Sequence, residues 1–173
     1  MYIRTAWSDY FTGSPTLIQS QTYGAQQKPS NTNVHVLNCL FRSITSTGAG
    51  GALCCTSVTL LFVESSSFFT CKTSGNGGAI YFSNSGGQFA LYKVCGYDCS
   101  TTKTGLGSGG LFSYNCINSA TSSKNYANYS SIARCVNVNT DTYYAIRLQY
   151  GKICCPSLNS SNNKCSGRTA IIC

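Results

Sequence analysis

Twelve cysteines, four carboxylates and one histidine are the side chains of this 173-residue chain whose types suit metal binding or catalysis. Zinc ligands usually come in close sequence pairs such as C-x-x-C, and no such pair occurs. The nearest approach is Cys95 to Cys99, and His35 lies outside any cysteine cluster. The glycine-rich stretches 48–51 and 105–110 lack the lysine and the following helix of a phosphate loop. The sequence therefore predicts no metal site and no cofactor.

The carboxylates are too few and too scattered for hydrolytic chemistry. They are Asp9, Glu64, Asp98 and Asp141. Glycosidases need a pair of carboxylates, and a calcium site gathers several of them. Glu64 is expected to be solvated at the surface or paired with Lys93 or Lys72. His35 lies between two valines, which predicts that its side chain faces outward from a strand and does not act as a general base. We predict no catalytic residues and a protein that is not an enzyme.

The charge balance points to an acidic partner. Twelve Lys and Arg side chains stand against four acidic ones, for a formal net charge of +8. The basic residues occur singly, so plain solvation of the surface is an equal alternative to anion binding. Five of them follow one another at separations of 30, 31, 31 and 30 residues and would form a stripe along a repeat of that length. These candidate partner-binding residues are Arg42, Lys72, Lys103, Arg134 and Lys164.

Two vicinal cysteine pairs bear on the redox state. Neighbouring side chains of a strand point to opposite faces, so Cys54–Cys55 and Cys154–Cys155 would each place one sulfur inside and one outside. A buried free cysteine behaves as a small apolar residue. We therefore favour reduced core cysteines, with a disulfide network as the alternative.

The N-terminal sequence shows no secretory signal, because no continuous apolar run follows a basic start. This pattern predicts a cytoplasmic or cytoskeletal protein. If the N-terminus is incomplete, a cell-surface or secreted protein is the alternative. No apolar stretch approaches the roughly 18 residues of a membrane-spanning helix, so no membrane span is expected.

A repeat of about thirty residues organises the chain. Small residues recur at Cys39, Ser66 and Cys95, separated by 27 and 29 residues, with a weaker echo at Cys135. A glycine pair follows each of the first three, its second glycine 12, 12 and 15 residues on. Short apolar runs alternate with polar turns between them, and no amphipathic helix of useful length appears. We expect the four small residues to form an interior ladder and the glycine pairs to turn the chain with positive φ.

This pattern predicts an all-β protein, specifically a right-handed parallel β-helix of about five coils. Each coil would add a strand to long parallel sheets, and stacked coils would share one narrow interior. A β-sandwich, also built of short evenly spaced strands, is the alternative. We assign residues 34–173 to the β-helix repeats. Residues 1–33 lack the repeat and are predicted to form an N-terminal cap or docking arm.

Two segments resemble known β-helix repeats. The signature N-G-G-A-I at residues 76–80 resembles polymorphic-outer-membrane-protein-like and pectate-lyase-like coils. The phrase K-V-C-G-Y-D-C at 93–99, in Ser- and Asn-rich surroundings, is similar to large Cys-containing β-helix families of flagellated protists. The resemblance implies a coil type rather than an activity. Enzymes with this fold are mostly polysaccharide lyases and hydrolases, and the scattered carboxylates of this chain do not match their needs.

The function predicted from these features is that of a non-catalytic structural or interaction protein. A short cationic rod would dock on an acidic polymer or on a partner protein with an acidic surface, such as a tubulin-like filament. The apolar residues 171–173 suggest end-to-end docking through the last coil. Nucleic acid is not expected as a partner. The alternative is a cell-surface or secreted β-helix that binds, or less plausibly cleaves, anionic polysaccharide and carries disulfides and glycans at Asn128 or Asn159.

Overall fold

All strand pairs in the part of the chain that the structure describes are parallel, and they stack into a parallel β-helix. The computed structural model describes residues 7–103, 111–117, 119–135, 144–164 and 171–172, the last two for their backbone alone. The windings that begin at strands β3, β7 and β11 visit four short sheets in turn, which we label A, B, D and C, before the chain returns to sheet A one level on. The predicted fold class is confirmed, and neither a sandwich nor a barrel is formed.

The two largest sheets have six described strands each. Sheet A contains, in spatial order, β1 (Thr16–Gln19), β3 (Asn33–Leu37), β7 (Leu60–Glu64), β11 (Gln88–Tyr92), β15 (Lys124–Asn128) and β18 (Lys152–Cys154). Sheet B contains β2 (Thr22–Tyr23), β4 (Leu40–Arg42), β8 (Ser67–Phe69), β12 (Cys95–Tyr97), β16 (Ser131–Ala133) and β19 (Asn159–Ser161).

The other two sheets close each winding. Sheet C contains β6 (Leu53–Cys55), β10 (Ile80–Ser83), β14 (Ser113–Cys116), β17 (Ile146–Gln149) and β20 (Ile171–Ile172). Sheet D contains β5 (Thr45–Ser46), β9 (Lys72–Thr73) and β13 (Ser100–Thr101). One short helix, α1 (Trp7–Tyr10), precedes the strands.

Single residues in the left-handed region turn the chain before every described sheet B strand and after every one except β2 (Thr22–Tyr23). The row before sheet B consists of Ser20, Asn38, Ser65, Lys93, Tyr129 and Ser157, and the row after it consists of Ser43, Thr70, Asp98, Arg134 and Asn162. A left-handed L-residue is strained by about 1 kcal/mol or more. Backbone hydrogen bonds between windings offset that strain, as where the Lys93 amide donates to the Asn128 carbonyl. The rows therefore fix where the sheet B strands that they flank begin and end.

The first two glycine pairs stack directly on one another, as the repeat predicts, and the third pair, at 109–110, lies outside the described residues. Gly50 and Gly77 have φ values of 69° and 71°, and the Gly51 amide donates to the Gly77 carbonyl at 3.1 Å. A Cβ atom on Gly51 would lie 2.0 Å from the carbonyl oxygen of Gly78. No side chain fits that spacing, so the second glycine is required by the close approach of successive windings.

The interior ladder of small residues differs from the expected one by one residue at the third winding. The backbone hydrogen bonds between windings place Val94, not Cys95, in register with Cys39 and Ser66, because the Cys95 amide donates to the Ser66 carbonyl. Cys95 therefore begins strand β12 and faces outward. Cys135 belongs to a second interior column, after sheet B. There it stacks with Cys71 and Cys99, and all three thiols donate to backbone carbonyls.

The interior becomes more polar along the axis. Phe41 and Phe68 stack at 4.7 Å between ring centroids, and Phe82 and Phe89 approach to 5.6 Å. One level on, Asn115 and Asn125 occupy the positions of Phe82 and Phe89. Both asparagines are fully buried, and neither Oδ1 atom has a hydrogen-bond partner among the described residues. Buried polar atoms without partners stabilise a core less than aromatic packing does, so the first windings hold the firmer part of the core.

The N-terminal part divides differently from the expected boundary at residue 33. Strand β1 pairs with β3 and strand β2 pairs with β4, so residues from Thr16 onward already extend the sheets by one level. These strands lack the glycine-pair motif, which is why the repeat does not reveal them. Residues 7–11 lie outside the β-helix and pack against the outer face of sheet A.

Candidate functional site

Two outer faces of the β-helix carry the side chains whose chemistry could support a function. The covered face is the outer side of sheet A, over which residues 7–11 lie. The open face is the outer side of sheet B with its flanking corners. It is defined by Arg42, Phe69, Lys93, Tyr97, Tyr129 and Arg134.

The covered face is sealed by aromatic rings. Trp7 and Phe11 are each 5% exposed, and the Tyr10 ring lies 4.7 Å from that of Phe62. The Trp7 indole donates to the Gly13 carbonyl at 2.8 Å, which folds the segment back on itself. Four helical residues are too few to be stable alone, so α1 owes its conformation to this packing.

Polar contacts tie the same segment to the later windings. The ammonium of Lys124 donates to the Tyr10 carbonyl, and the amide nitrogen of Asn128 donates to the Tyr10 hydroxyl at 2.9 Å. Lys124 also lies 5.8 Å from the centre of the Phe11 ring. The segment thus bridges several levels of the helix.

A buried His–Glu pair lies beneath this cover. His35 Nε2 is 2.9 Å from Glu64 Oε2, and the two residues are 1% and 7% exposed. The imidazole stacks on Phe62 at 4.8 Å and approaches Trp7 at 5.8 Å. Burial lowers the pKa of His35, and the hydrogen bond to Glu64 opposes part of that shift.

This pair corrects two expectations. His35 does face away from the interior, yet it is buried because residues 7–11 lie over it. Glu64 is neither solvated nor paired with Lys93 or Lys72, since adjacent strands bring it to His35 instead. A general base must reach its substrate, and the cover leaves no such access to His35 in this conformation.

The open face presents cations and aromatic rings to solvent. Tyr97 and Tyr129 are 37% and 56% exposed. The Arg134 guanidinium carbon lies 5.4 Å from the centre of the Tyr97 ring, and Phe69 lies 6.4 Å from that ring on the level before. The Lys93 ammonium lies 5.0 Å from the centre of the Tyr92 ring. These distances are typical of cation–π contacts, which hold the cations in place without removing their charge.

The five basic residues predicted to form a stripe are all exposed but do not share one column. Arg42 ends strand β4, Lys72 begins strand β9, and Lys103 follows strand β13. Arg134 occupies the corner after sheet B, and Lys164 follows the same corner on the last level. Only Lys72 and Lys164 occupy equivalent positions, three levels apart, because windings of unequal length shift the others. A binding role for all five remains a prediction.

Cations dominate the described surface. Eight basic residues are exposed: Lys28, Arg42, Lys72, Lys93, Lys103, Arg134, Lys152 and Lys164. Of the described carboxylates, Asp9 is exposed, Asp98 is half-buried and Glu64 is buried. The single ion pair between described residues joins His35 and Glu64. The fold therefore buries one of the three described carboxylates and leaves eight of the ten described basic side chains exposed.

The ten described cysteines are free thiols, and their placement follows the predicted alternation. Cys55 is buried while its neighbour Cys54 is half-exposed on the outer side of sheet C. In the interior column, the interaction with the Cys99 thiol and burial raise the pKa of Cys71, and burial raises the pKa of Cys99. A thiol with a raised pKa is rarely ionised to the thiolate at neutral pH and therefore reacts slowly. No group of three or more His, Cys, Asp or Glu residues close enough to hold a metal ion occurs in the described ranges.

An open cavity of about 450 Å³ lies near the corner between sheets C and A. Its lining consists of Ser83, Ser85, Cys116, Ile117, Ser119 and Tyr150. Burial raises the pKa of the Cys116 thiol, and none of the described residues that line the cavity is a histidine or a carboxylate.

The sequence did not single out Lys93, Tyr97 or Tyr129 as site residues. The signal was present in the register: Lys93 stands two residues before Cys95, the first residue of strand β12, and Tyr129 occupies the same corner one level on. Recognising it requires knowing where sheet B begins in each winding, which the repeat motif misplaces by one residue at Cys95.

Comparison with other proteins found no matching family model, no matching curated protein and no matching solved structure. In the described ranges, no helix has the length and apolar character to cross a membrane.

Proposed function

We propose that this chain is a non-catalytic interaction protein, a short cationic β-helical rod that docks on an acidic polymer or an acidic partner protein. The observation that carries this proposal is the charge distribution. Eight described cations are exposed, while the Glu64 carboxylate is buried against His35. A surface of that kind attracts polyanions over a range set by the Debye length. A cytoskeletal filament with an acidic surface in the cytoplasm is the partner class we favour.

The repeated windings also support a structural role. Stacked windings give a stiff scaffold that holds exposed side chains at fixed heights. We assign the coils to the type seen in polymorphic-outer-membrane-protein-like and pectate-lyase-like proteins, on the N-G-G-A-I motif at 76–80. That assignment concerns the scaffold and leaves the activity of those proteins aside.

Binding of the full chain to a series of polymers tests the proposal. Polymerised tubulin, polyglutamate, heparin and polygalacturonate would each be mixed with the protein at low and at physiological salt, with neutral dextran as the control. We expect binding to an acidic polymer that weakens as salt rises, because exposed charges are screened. Absence of binding to every polyanion at low salt would overturn the proposal.

Anionic polysaccharide is a second candidate, favoured by the exposed Tyr97 and Tyr129 beside the cations. The glycan that this alternative expects at Asn128 has no room in the described conformation, because the side chain is 8% exposed and donates to Tyr10. Preferential binding of polygalacturonate or heparin over the acidic polypeptide and the filament would favour this candidate.

A further inference from the structure

The open face is a continuous surface across the middle windings. Lys93 and Tyr129 project from the corner row before sheet B, and Arg134 projects from the row after it. Phe69 and Tyr97 are the last residues of neighbouring strands β8 and β12 and lie in register. Small side chains, among them Ser131 of strand β16, lie between the two rows.

The aromatic rings of this face already have partners. Arg134 lies over the Tyr97 ring at 5.4 Å, and Lys93 lies over the Tyr92 ring at 5.0 Å. Tyr129 packs edge-on against Tyr92 at 5.7 Å. Stacking of a nucleic-acid base needs an open ring face. Arg134 is therefore the partner of the Tyr97 ring, and the cations and hydroxyl groups of the face are the groups placed to bind a charged ligand.

The Arg134 guanidinium suits a carboxylate. It is exposed, and its carbon lies 5.4 Å from the centre of the Tyr97 ring. The planar fork of a guanidinium can donate two parallel hydrogen bonds to a carboxylate. The nearest described carboxylate along this corner row is Asp98, which is half-buried and forms no ion pair with a described residue. The open face with its corners therefore has three exposed cations, Arg42, Lys93 and Arg134, and one described carboxylate.

The cations are irregularly spaced. Arg42 lies on the level of strand β4, Lys93 on that of β12 and Arg134 on that of β16, and no two occupy the same column. The three levels from Arg42 to Arg134 span about 14 Å at about 4.8 Å each. That span equals about four residues of an extended peptide. A polymer with a rigid charge repeat cannot match such positions, whereas a flexible peptide can.

We propose that the open face binds an extended, flexible polypeptide segment rich in Asp and Glu, with Arg42, Lys93 and Arg134 as its carboxylate-binding residues. This inference rests on the proposed function and names both the surface and the partner class. A segment of this kind has carboxylates on freely rotating side chains, which can each find a cation along the face.

Two charge-matched triple variants of the full chain test the proposal. The first carries Arg42→Gln, Lys93→Gln and Arg134→Gln on the open face. The second carries Lys28→Gln, Arg147→Gln and Lys152→Gln, which lie outside the open face and outside the predicted stripe. Binding of a short fluorescent polyglutamate peptide would be followed by anisotropy at fixed salt. Oligothymidylate and a heparin oligosaccharide serve as alternative probes.

We expect about tenfold weaker peptide binding in the open-face variant and less than about threefold in the control, since three exposed ion pairs of typical strength are lost only in the first. Arg134→Lys, which keeps the charge but removes the planar fork, is expected to weaken binding about threefold. Thermal unfolding of each variant checks that the fold is retained.

Equal losses in the two triple variants would overturn the open-face proposal and leave the proposed function standing. Tighter binding of oligothymidylate or heparin than of the peptide, lost in the open-face variant, would also overturn it by assigning the face to another class of macromolecule. A wild-type protein that binds none of the polyanions would overturn both.

Discussion

The covered and open faces are built from the same kind of short parallel strand, yet they offer opposite environments. On sheet A, residues 7–11 exclude water from His35, Glu64 and Phe62. On sheet B, Tyr97 and its cationic neighbours remain in contact with solvent. The strands themselves do not cause the contrast. A few aromatic residues outside the repeat convert one face into a second small core and leave the other available for binding.

The largest expected contrast concerns one phenylalanine from each face. Phe62→Ala removes a fully buried ring beneath the cover and should reduce the free energy of unfolding by about 3 kcal/mol. Phe69→Ala removes a half-buried ring of the open face and should cost about 1 kcal/mol or less. Urea unfolding of both variants measures the difference. Equal losses would mean that residues 7–11 add little to the packing of Phe62.

A smaller contrast is expected for the carboxylates. Glu64→Gln replaces a charged hydrogen bond to His35 with a neutral one and should reduce the free energy of unfolding by about 1 kcal/mol. Asp98→Asn changes a corner residue of the open side and should alter it by less than about 0.5 kcal/mol, because asparagine tolerates the left-handed conformation. Chemical denaturation at neutral pH compares them. A larger effect at Asp98 would contradict the assignment of the buried pair.

The buried imidazole should make stability depend on pH. Because burial lowers the pKa of His35 in the folded protein, the unfolded chain binds a proton more readily. The stability contributed by neutral His35 is therefore complete above about pH 6.5, the ordinary histidine value. It decreases as the pH falls below that value toward the lower pKa of His35 in the folded protein. Unfolding midpoints measured from neutral to mildly acidic pH should decrease in the wild type and change less in His35→Gln. An identical pH dependence in the two proteins would show that His35 does not titrate under the cover.

The last contrast concerns the reactivity of cysteine thiols and not the stability of the protein. Cys95 faces outward from sheet B and is half-buried, whereas Cys71, Cys99 and Cys135 are buried in the interior column. Alkylation of the native protein, located by mass spectrometry, should modify Cys95 well before the other three, which should react only after unfolding. Early modification of Cys99 would indicate that the interior column opens readily.

The repeat was readable from the sequence because its constraints are local. The spacing from Gly51 to Gly78 reports the length of one winding, and the stacked glycines of the structure confirm it. The interior ladder was only partly readable. Matching Cys95 to Cys39 by residue type is wrong by one position, because backbone hydrogen bonds, not side-chain identity, set the register.

The candidate site was less predictable than the fold. The outward direction of His35 follows from strand alternation, but its burial depends on Trp7 and Phe11 folding back over sheet A. A four-residue helix has no periodicity to announce it. The surface of Arg134 over Tyr97 likewise joins residues from different windings.

The amino-acid order alone determined the coil length, the positions of the glycine pairs and the excess of basic over acidic residues, since each depends on composition or on steric limits within a few residues. Only the tertiary structure decided which face is covered, that Glu64 meets His35, and which cations share a surface with Tyr97. Such contacts join residues about thirty or more positions apart. Their proximity depends on how whole windings close and stack, which no short stretch of the sequence specifies.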